Sequence, residues 1–312
     1  MSKIGLVLII FILATLYNPF GGPKQRIFVY PDESLSVVVD SLKSKNILVS
    51  KPWILMLAKL TGMDKEVKPG YYWIGRIEAP ISILGKLRRG GADTIRITIP
   101  EGFTLNQIGV RLANAGIVDI DTFAFLTNNE EFIKTLDIDY ANSLEGFLFP
   151  DTYIFSIFSD ERQIIRKMVN RFKMIVEDLG IRDSLYEQLI LASIVEREAR
   201  IDSERQIIAS IFRKRLYSGH PLESCATVNY ALGVHNARLK YSDLRVKSPY
   251  NTYLYSGLPP TPICSPGKAS LLAVVYPRPT RYLYFVSNGR GGHFFSSTYR
   301  EHLLAKKRRN SG

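Results

Sequence analysis

The sequence predicts an α+β protein with three parts: a membrane anchor over residues 1–22, a repeated strand–helix region over 23–130, and a mixed α+β catalytic domain over 131–312. Three observations support this division. The N-terminus carries a solitary apolar run, two similar strand–helix units follow at an offset of 70 residues, and one apolar helix ends in acidic residues. A chain of 312 residues, 46% of them hydrophobic, can bury the cores that two domains need.

The N-terminal apolar run covers residues 4–17, and only Lys3 gives it a basic flank. Extended to Phe20 it is slightly short for a full membrane span. Residues 18–22 (NPFGG) contain neither an A-x-A cleavage pattern nor a lipid-accepting cysteine, which favours a signal anchor over a cleaved signal peptide. The basic flank predicts a cytoplasmic N-terminus. The expected location is therefore the cytoplasmic (inner) membrane, single-pass, with residues from about 23 onward on its outer face.

The net charge of +12 favours a polyanionic partner: nucleic acid, anionic lipid or an anionic wall polymer. Nucleic acid is disfavoured because no recognition motif accompanies the charge and the export signal opposes it. The four basic residues 306–309 are expected to form a solvated tail. The histidines are scattered and no glycine-rich phosphate loop opens a helix, so neither a metal nor a cofactor is predicted. The sequence does not decide whether Cys225 and Cys264 form a disulfide.

The repeated region consists of two units, residues 27–60 and 96–126. Each predicts a short strand ending at proline and then a helix whose N-cap is Ser34 or Thr104. Between the units, residues 69–74 predict a turn and an aromatic strand. One such unit buries little apolar area, so we expect the copies to pack together.

This strand–helix pattern is similar to LysM-like modules, which grip N-acetylated glycans. The aromatic strand carries Tyr71, Tyr72 and Trp73. Their rings either stack on sugar faces or fill the small core, as alternate strand positions must.

A helix over residues 184–198 is the strongest signal in the chain. Ser184 and Glu187 predict a capping box at its start, and residues 189–195 are apolar apart from one serine, which is typical of a helix inside a domain. Glu196 continues one apolar stripe at helical spacing. A carboxyl group there is expected to lose water, which raises its pKa and suits a general acid. The alternative is that the Glu-Arg-Glu run emerges into solvent and forms structural ion pairs.

The remaining elements of the second half are also marked in the sequence. Helices are expected over about 160–179, from Ser203 (with Gln206 as a capping box) to about Tyr217, and over 270–275. Four prolines within 259–266 predict a rigid loop, and residues 282–296 predict a hairpin.

Seven motifs follow one another in the second half, at 145–153 (EGFLFPDTY), 191–198 (LASIVERE), 203–205 (SER), 250–253 (YNTY), 257–260 (GLPP), 282–286 (YLYFV) and 291–296 (GGHFFS). In the order and spacing of these motifs and in its N-terminal anchor, the chain resembles the endolytic murein transglycosylases of the MltG (YceG-like) family over nearly its whole length from residue 26. This resemblance implies a LysM-like region, a catalytic domain and peptidoglycan glycan strands as substrate, with cell-wall synthesis or division proteins as plausible partners. In one departure, this chain reads Glu223-Ser-Cys-Ala-Thr227 where the family usually has Gln-Ser-Asp-Pro-Thr, which puts the role of the usual aspartate in doubt.

The resemblance implies that Glu196 is the catalytic residue, the same carboxyl that the apolar stripe selects. We expect it to protonate the glycosidic oxygen between N-acetylmuramic acid and N-acetylglucosamine and then to accept the proton of the muramoyl C6 hydroxyl, giving a 1,6-anhydro end. The candidates for holding the sugar are Glu145, Thr227, Asn251, Tyr253 and Ser296. For loop residues such as these the alternative is a structural role, in which the side chain binds backbone groups.

Two other functions stay open from the sequence. A hydrolytic muramidase would use Glu196 as acid and Glu145 or Asp151 as base, following the two-carboxylate scheme of glycosidases. A membrane-tethered module that binds the wall without cutting it would also suit the basic charge and the repeat.

Overall fold

The computed structural model describes residues 25–45, 47, 51–65, 67–75, 78–91, 94–234 and 239–311. Within these ranges no helix is long and apolar enough to cross a membrane. The predicted anchor over 1–22 lies outside the described residues. Twelve helices and three two-stranded sheets confirm the α+β class for the described part of the chain. The chain divides into two compact units, residues 1–95 with 154–158, and residues 96–153 with 159–312.

The first unit packs three helices against one two-stranded antiparallel sheet. Strands β1 (Gln25–Val29) and β2 (Gly70–Ile74) pair antiparallel, and helices α1 (Leu35–Ser44), α2 (Lys51–Thr61) and α3 (Pro80–Arg89) complete the unit. Its core consists of aliphatic side chains from every element, among them Ile27, Leu42, Ile54, Ile74 and Ile83.

The aromatic strand β2 divides its side chains between core and solvent. Tyr72 is 3% exposed and its hydroxyl donates to the Lys68 carbonyl, whereas Trp73 is 56% exposed. Tyr71 is half-buried, and the Arg26 guanidinium lies 4.5 Å from its ring centre. Both tryptophans of the chain belong to this unit.

Strands β3 (Thr94–Thr98) and β4 (Thr152–Ser156) form a second two-stranded sheet. The amide of Ile99 donates to the Asp151 carbonyl just beyond this pairing. Helices α4 (Leu105–Asn114), α5 (Ile120–Thr127) and α6 (Glu130–Lys134) follow β3. Thr104 and Gln107 form a complete capping box at α4, as the residue type at the N-cap predicts. At the equivalent helix α1, Ser34 occupies the N-cap but its side chain makes no capping hydrogen bond.

The two copies of the predicted repeat therefore lie in different units. The compact units divide at residue 95, and the domain boundary at residue 130 stays a prediction. Residues 96–130 belong with the second unit because their backbone is bonded to it: the Gly102 amide donates to the Ser265 carbonyl, and the Leu105 amide donates to the Glu145 carboxylate.

The rest of the second unit is mainly helical. It contains α7 (Glu161–Asp178), α8 (Leu185–Glu198), α9 (Asp202–Tyr217), α10 (Cys225–Ala231), a 3-10 turn at Asp243–Arg245, α11 (Lys268–Val275), the hairpin β5 (Tyr284–Ser287) and β6 (His293–Ser296), and α12 (Tyr299–Ser311). Helix α8 packs against α9, α10 and α11, and all of its residues 189–195 are buried. The prediction of a helix inside the domain is confirmed.

Two predicted capping boxes are wrong. Ser184 has φ of +52° and makes no capping bond, because a residue in the left-handed region does not direct its hydroxyl at the helix amides as an extended N-cap does. Helix α9 begins at Asp202, one residue before Ser203, and Gln206 instead donates to the Tyr276 carbonyl. The basic residues 306–309 are exposed, but they continue helix α12 rather than forming a tail.

Candidate active site

Glu196 lies in the last turn of α8 with its side chain 7% exposed. One carboxylate oxygen, Oε2, accepts hydrogen bonds from the Gly267 amide at 3.0 Å and from the Ser270 hydroxyl at 2.8 Å. The other, Oε1, is 3.3 Å from a guanidinium nitrogen of Arg205. The predicted burial is confirmed, but the predicted apolar surroundings are not. The apolar part of the stripe ends one turn earlier, and the carboxylate faces the start of α11.

Arg205 and Ser270 close a network around this carboxylate. Arg205, in the first turn of α9, is 8% exposed and donates to the Ser270 hydroxyl at 2.6 Å and to Asp202 at 2.9 Å. Ser270 is fully buried in α11. Each polar group of the network has a charged or hydroxyl partner, which fixes the carboxylate orientation as a catalytic group requires.

Glu101 brings a second carboxylate to the same place. Its loop is fixed by the Ser265 amide, which donates to the Phe103 carbonyl at 2.8 Å, and by Arg197, which donates to the Gly102 carbonyl at 3.3 Å. The carboxylate of Glu101 covers Gly267 so closely that a Cβ at position 267 would lie 1.8 Å from its Oε1. Burial, and next the charge of Glu196, raise the pKa of Glu101.

The proline-rich loop docks on α8 through the one serine of the apolar run. Ser193 accepts a hydrogen bond from the Ile263 amide at 3.0 Å and donates to the Ile190 carbonyl at 2.7 Å. The Cys264 thiol donates to the Ser193 carbonyl. The loop thereby delivers Gly267 and Ser270 to Glu196.

Comparison with known proteins now identifies the family. A family model for YceG-like proteins matches residues 27–308. The chain belongs to the YceG-like family. It is 32% identical over 295 residues to a Bacillus subtilis protein named endolytic murein transglycosylase, a match covering 88% of this chain and 82% of that one. A Streptococcus pneumoniae protein of the same name is 26% identical over 76% of this chain, which spans about half of that protein's length.

A solved YceG-like structure has the same fold. The crystal structure of a putative yceG-like protein from Listeria monocytogenes superposes with a TM-score of 0.63 at 30% sequence identity. The superposition covers 90% of this chain and 98% of the Listeria chain.

In this YceG-like chain, Glu145 is buried at 4% exposure. The Leu105 amide donates hydrogen bonds to both of its carboxylate oxygens, at 3.1 and 3.2 Å, and the Tyr230 hydroxyl donates to Oε2 at 3.1 Å. Burial raises the pKa of Glu145 to about 7 in spite of these bonds. The carboxylate thus joins the start of α4 to α10.

Three other candidates gather around α10. Thr227 is fully buried and its hydroxyl pairs with Thr252 at 2.9 Å. Asn251, also fully buried, donates to two backbone carbonyls and accepts the Tyr253 amide. The Tyr253 hydroxyl lies 3.1 Å from the sulfur of Cys225. Cys225 is the residue that stands where the resemblance expects an aspartate. Tyr253 is the only one of these three that is part-exposed, and sugar contact by any of them stays a prediction.

Ser296 lies apart from this group in the hairpin, where it is 3% exposed and its carbonyl accepts the Leu283 amide. The hairpin is connected to α9 through His293, whose ring lies 2.7 Å from Glu204. Both cysteines are free thiols, Cys225 exposed and Cys264 buried. In the part of the chain that the structure describes, no group of His, Cys, Asp and Glu side chains is placed to hold a metal ion.

Sequence reasoning missed Glu101, Ser270 and the function of Arg205. Glu101 follows the proline that ends the second repeat strand, and the first copy also carries acidic residues after its proline, Asp32 and Glu33. Acidic residues after a proline are typical of a turn, and nothing in this local pattern connects Glu101 with a helix 95 residues later.

Proposed function

We propose that this chain is a membrane-anchored endolytic lytic transglycosylase that cleaves MurNAc–GlcNAc bonds within peptidoglycan strands and leaves 1,6-anhydroMurNAc ends. The observation that carries the proposal is the Glu196 carboxylate, buried and held by three donors where α8, α9 and α11 meet. The relatives named endolytic murein transglycosylase support the reaction class.

Glu196 serves first as acid and then as base. Its proton passes to the leaving glycosidic oxygen as the bond to muramoyl C1 breaks, and the carboxylate next accepts the proton of the C6 hydroxyl as that oxygen bonds to C1. No water is consumed and Glu196 regains its proton. Arg205, Ser270 and the Gly267 amide stabilise the carboxylate that exists between the two steps, because charge-assisted hydrogen bonds are strongest to the ionised group. The substrate's N-acetyl group shares the positive charge that develops at C1.

The proposal extends to where the reaction takes place, which is the cell wall. Residues 1–22 anchor it in the cytoplasmic membrane, and the catalytic unit faces outward. In the LysM-like first unit, Trp73 and the accessible edge of Tyr71 offer rings to the glycan, whereas Tyr72 is occupied in the core. Wall-synthesis or division proteins are expected partners.

The contacts of Glu145 and Asp151 disfavour a hydrolysis that uses either of them as the base. A hydrolytic muramidase needs a second carboxylate free to activate water. Glu145 is bonded to the Leu105 amide and to Tyr230, and Asp151 forms an ion pair with Arg171 at 2.7 Å. Neither of these two carboxylates is free of partners. A hydrolase on this chain would have to use Glu101, the second carboxylate beside Glu196, and the oxygen-18 experiment distinguishes that reaction from the proposed one.

The test uses the full-length protein in non-ionic detergent with uncrosslinked glycan strands in oxygen-18 water. The wild type is compared with Glu196→Gln and with Glu187→Gln, a control in which an exposed carboxyl of the same helix is changed. Mass spectrometry should detect ends lighter by one water and free of oxygen-18. Glu196→Gln should lower turnover by about 10²–10⁴-fold, the usual contribution of a general acid, and keep glycan affinity.

Heavy-oxygen reducing ends would assign a hydrolase. If the wild type and Glu196→Gln bind glycan equally well and neither forms a product, the chain is a binding module without activity. In both cases the proposed reaction is refuted.

A further inference from the structure

We propose that Glu101 and Glu196 share a single proton across Gly267, so that Glu101 keeps Glu196 able to act as an acid. This inference rests on the proposed function. Glu101 acts through Glu196 and is a positioning residue rather than a catalytic one.

The geometry places both carboxylates on one glycine. Glu196 Oε2 accepts the Gly267 amide at 3.0 Å, and Glu101 Oε1 occupies the volume that a side chain at position 267 would fill. With about 2.5 Å between a backbone nitrogen and its Cβ, the two oxygens lie within roughly 7 Å of each other. The backbone next to Glu101 also lies beside Glu196, since a Cβ built at Gly102 would be 3.8 Å from Glu196 Cγ.

The two carboxylates differ in their partners. Glu196 has Arg205, Ser270 and the Gly267 amide. Within the described residues, no hydrogen-bond donor reaches the Glu101 carboxylate, although its loop backbone is held firmly. Glu101 is partly buried but still open to solvent, whereas the Glu196 side chain is 7% exposed, so the Glu101 carboxyl can exchange protons with water.

The charged groups around the pair are those of the elements packed against it, namely Arg205 and Asp202 of α9, Arg197 of α8, and Lys268 of α11 in its ion pair with Asp178. Arg205 favours the ionised form of Glu196, which works against an acid. A second carboxylate nearby disfavours two negative charges in the same place. Such a pair binds its first proton as a unit, in one macroscopic step.

Glu101 therefore offsets Arg205. The pair enters the reaction with one proton, which Glu196 delivers to the leaving oxygen. The C6 hydroxyl returns one proton, and the pair again holds one. Without the Glu101 charge, the positive charge of Arg205 would no longer be offset, and a smaller fraction of the protein would hold the proton that the acid step needs.

Two substitutions remove the Glu101 charge from this place by different routes. Glu101→Gln neutralises it. Gly267→Ala displaces it, because the new methyl occupies the position of the carboxylate, whereas φ of −76° and ψ of 170° suit alanine and the amide to Glu196 is kept. Glu131→Gln, in the exposed part of α6, is the matched control.

The measurement is kcat and KM for anhydro-end formation by the full-length protein between about pH 5 and 9. For Glu101→Gln and Gly267→Ala we expect the alkaline limb of the kcat profile to move down by about one pH unit, the effect of one charge at this distance in a partly exposed site. Activity near neutrality should fall about tenfold and recover on acidification, with KM unchanged. In a Glu101→Ala background, Gly267→Ala should have no further effect.

An unshifted profile in Glu101→Gln overturns the inference, and so does a loss equal at all pH values with a raised KM. In either case wild-type activity leaves the proposed function intact. A wild type that makes no anhydro ends overturns the proposed function instead.

Discussion

Glu145 should make the second unit less stable as pH rises from about 4.5 to 7. Burial raises the pKa of this carboxyl from an ordinary 4.5 to about 7 in the folded state. Between these values the unfolded chain has released the proton and the folded protein still holds it. The unfolded state thus binds fewer protons, so the free energy of unfolding decreases with increasing pH. The stability that the Glu145 proton contributes is complete below the pKa of the unfolded chain and is lost as the pH rises through the pKa of the folded protein.

The magnitude follows from the size of the shift. A difference of about 2.5 pKa units corresponds to about 3 kcal/mol at roughly 1.4 kcal/mol per unit. No allowance for solvent screening is needed, because the residue is only 4% exposed. Glu145→Gln keeps an acceptor for the Leu105 amide and removes the titration, so its stability should lack this component.

The assay is pulsed hydrogen exchange in urea, read by mass spectrometry on the peptide 189–195, which reports the core of α8. Wild type and Glu145→Gln are compared at about pH 4.5, 6 and 7.5, with Glu177→Gln, an exposed carboxyl, as control. Across this pH range the free energy of unfolding of the wild type should fall by about 3 kcal/mol more than that of Glu145→Gln. Parallel curves for the two proteins would refute the assignment of a buried, proton-holding Glu145.

Three further outcomes follow from packing in the second unit. Ser193→Ala should lower the free energy of unfolding by about 1–3 kcal/mol in urea titrations, because the buried Ile263 amide loses its acceptor. Gly146→Ala should lower the free energy of unfolding by roughly 2–4 kcal/mol, because its Cβ would lie 2.6 Å from a carbon of Pro262. Gly180→Ala, which has a similar positive φ but open space around it, should lower it by only about 1 kcal/mol. Cys225 should alkylate more slowly near neutral pH than a cysteine in an unfolded peptide, because partial burial raises the pKa of its thiol although part of the residue is exposed; mass spectrometry of iodoacetamide-treated native and denatured protein tests this.

Local patterns in the sequence predicted the elements that surround the site. The apolar run of α8, the proline-rich loop and the aromatic hairpin each carry a strong local signal, and each is present in the structure. The capping boxes at Ser184 and Ser203 failed because a four-residue motif is weak when the preceding backbone turns differently. Glu196 was found from its stripe, which predicted burial but not the character of its neighbours.

The parts that sequence could not supply are contacts between distant segments. Glu101, Arg205 and Ser270 meet Glu196 from three elements, and no periodicity relates them. The same holds for Glu145, whose motif suggested sugar binding and whose oxygens are bonded to the start of α4. Fold class depends on repeating local patterns, whereas a site depends on a few long-range contacts.

The placement of both tryptophans in the first unit provides an optical signal without mutation. Indole emission excited at the red edge of the absorption band comes from Trp53 and Trp73 alone, so it follows the melting of that unit only. Because Trp73 is largely exposed on β2, its quenching by a soluble glycan would register a ligand at this strand before any bond is cut.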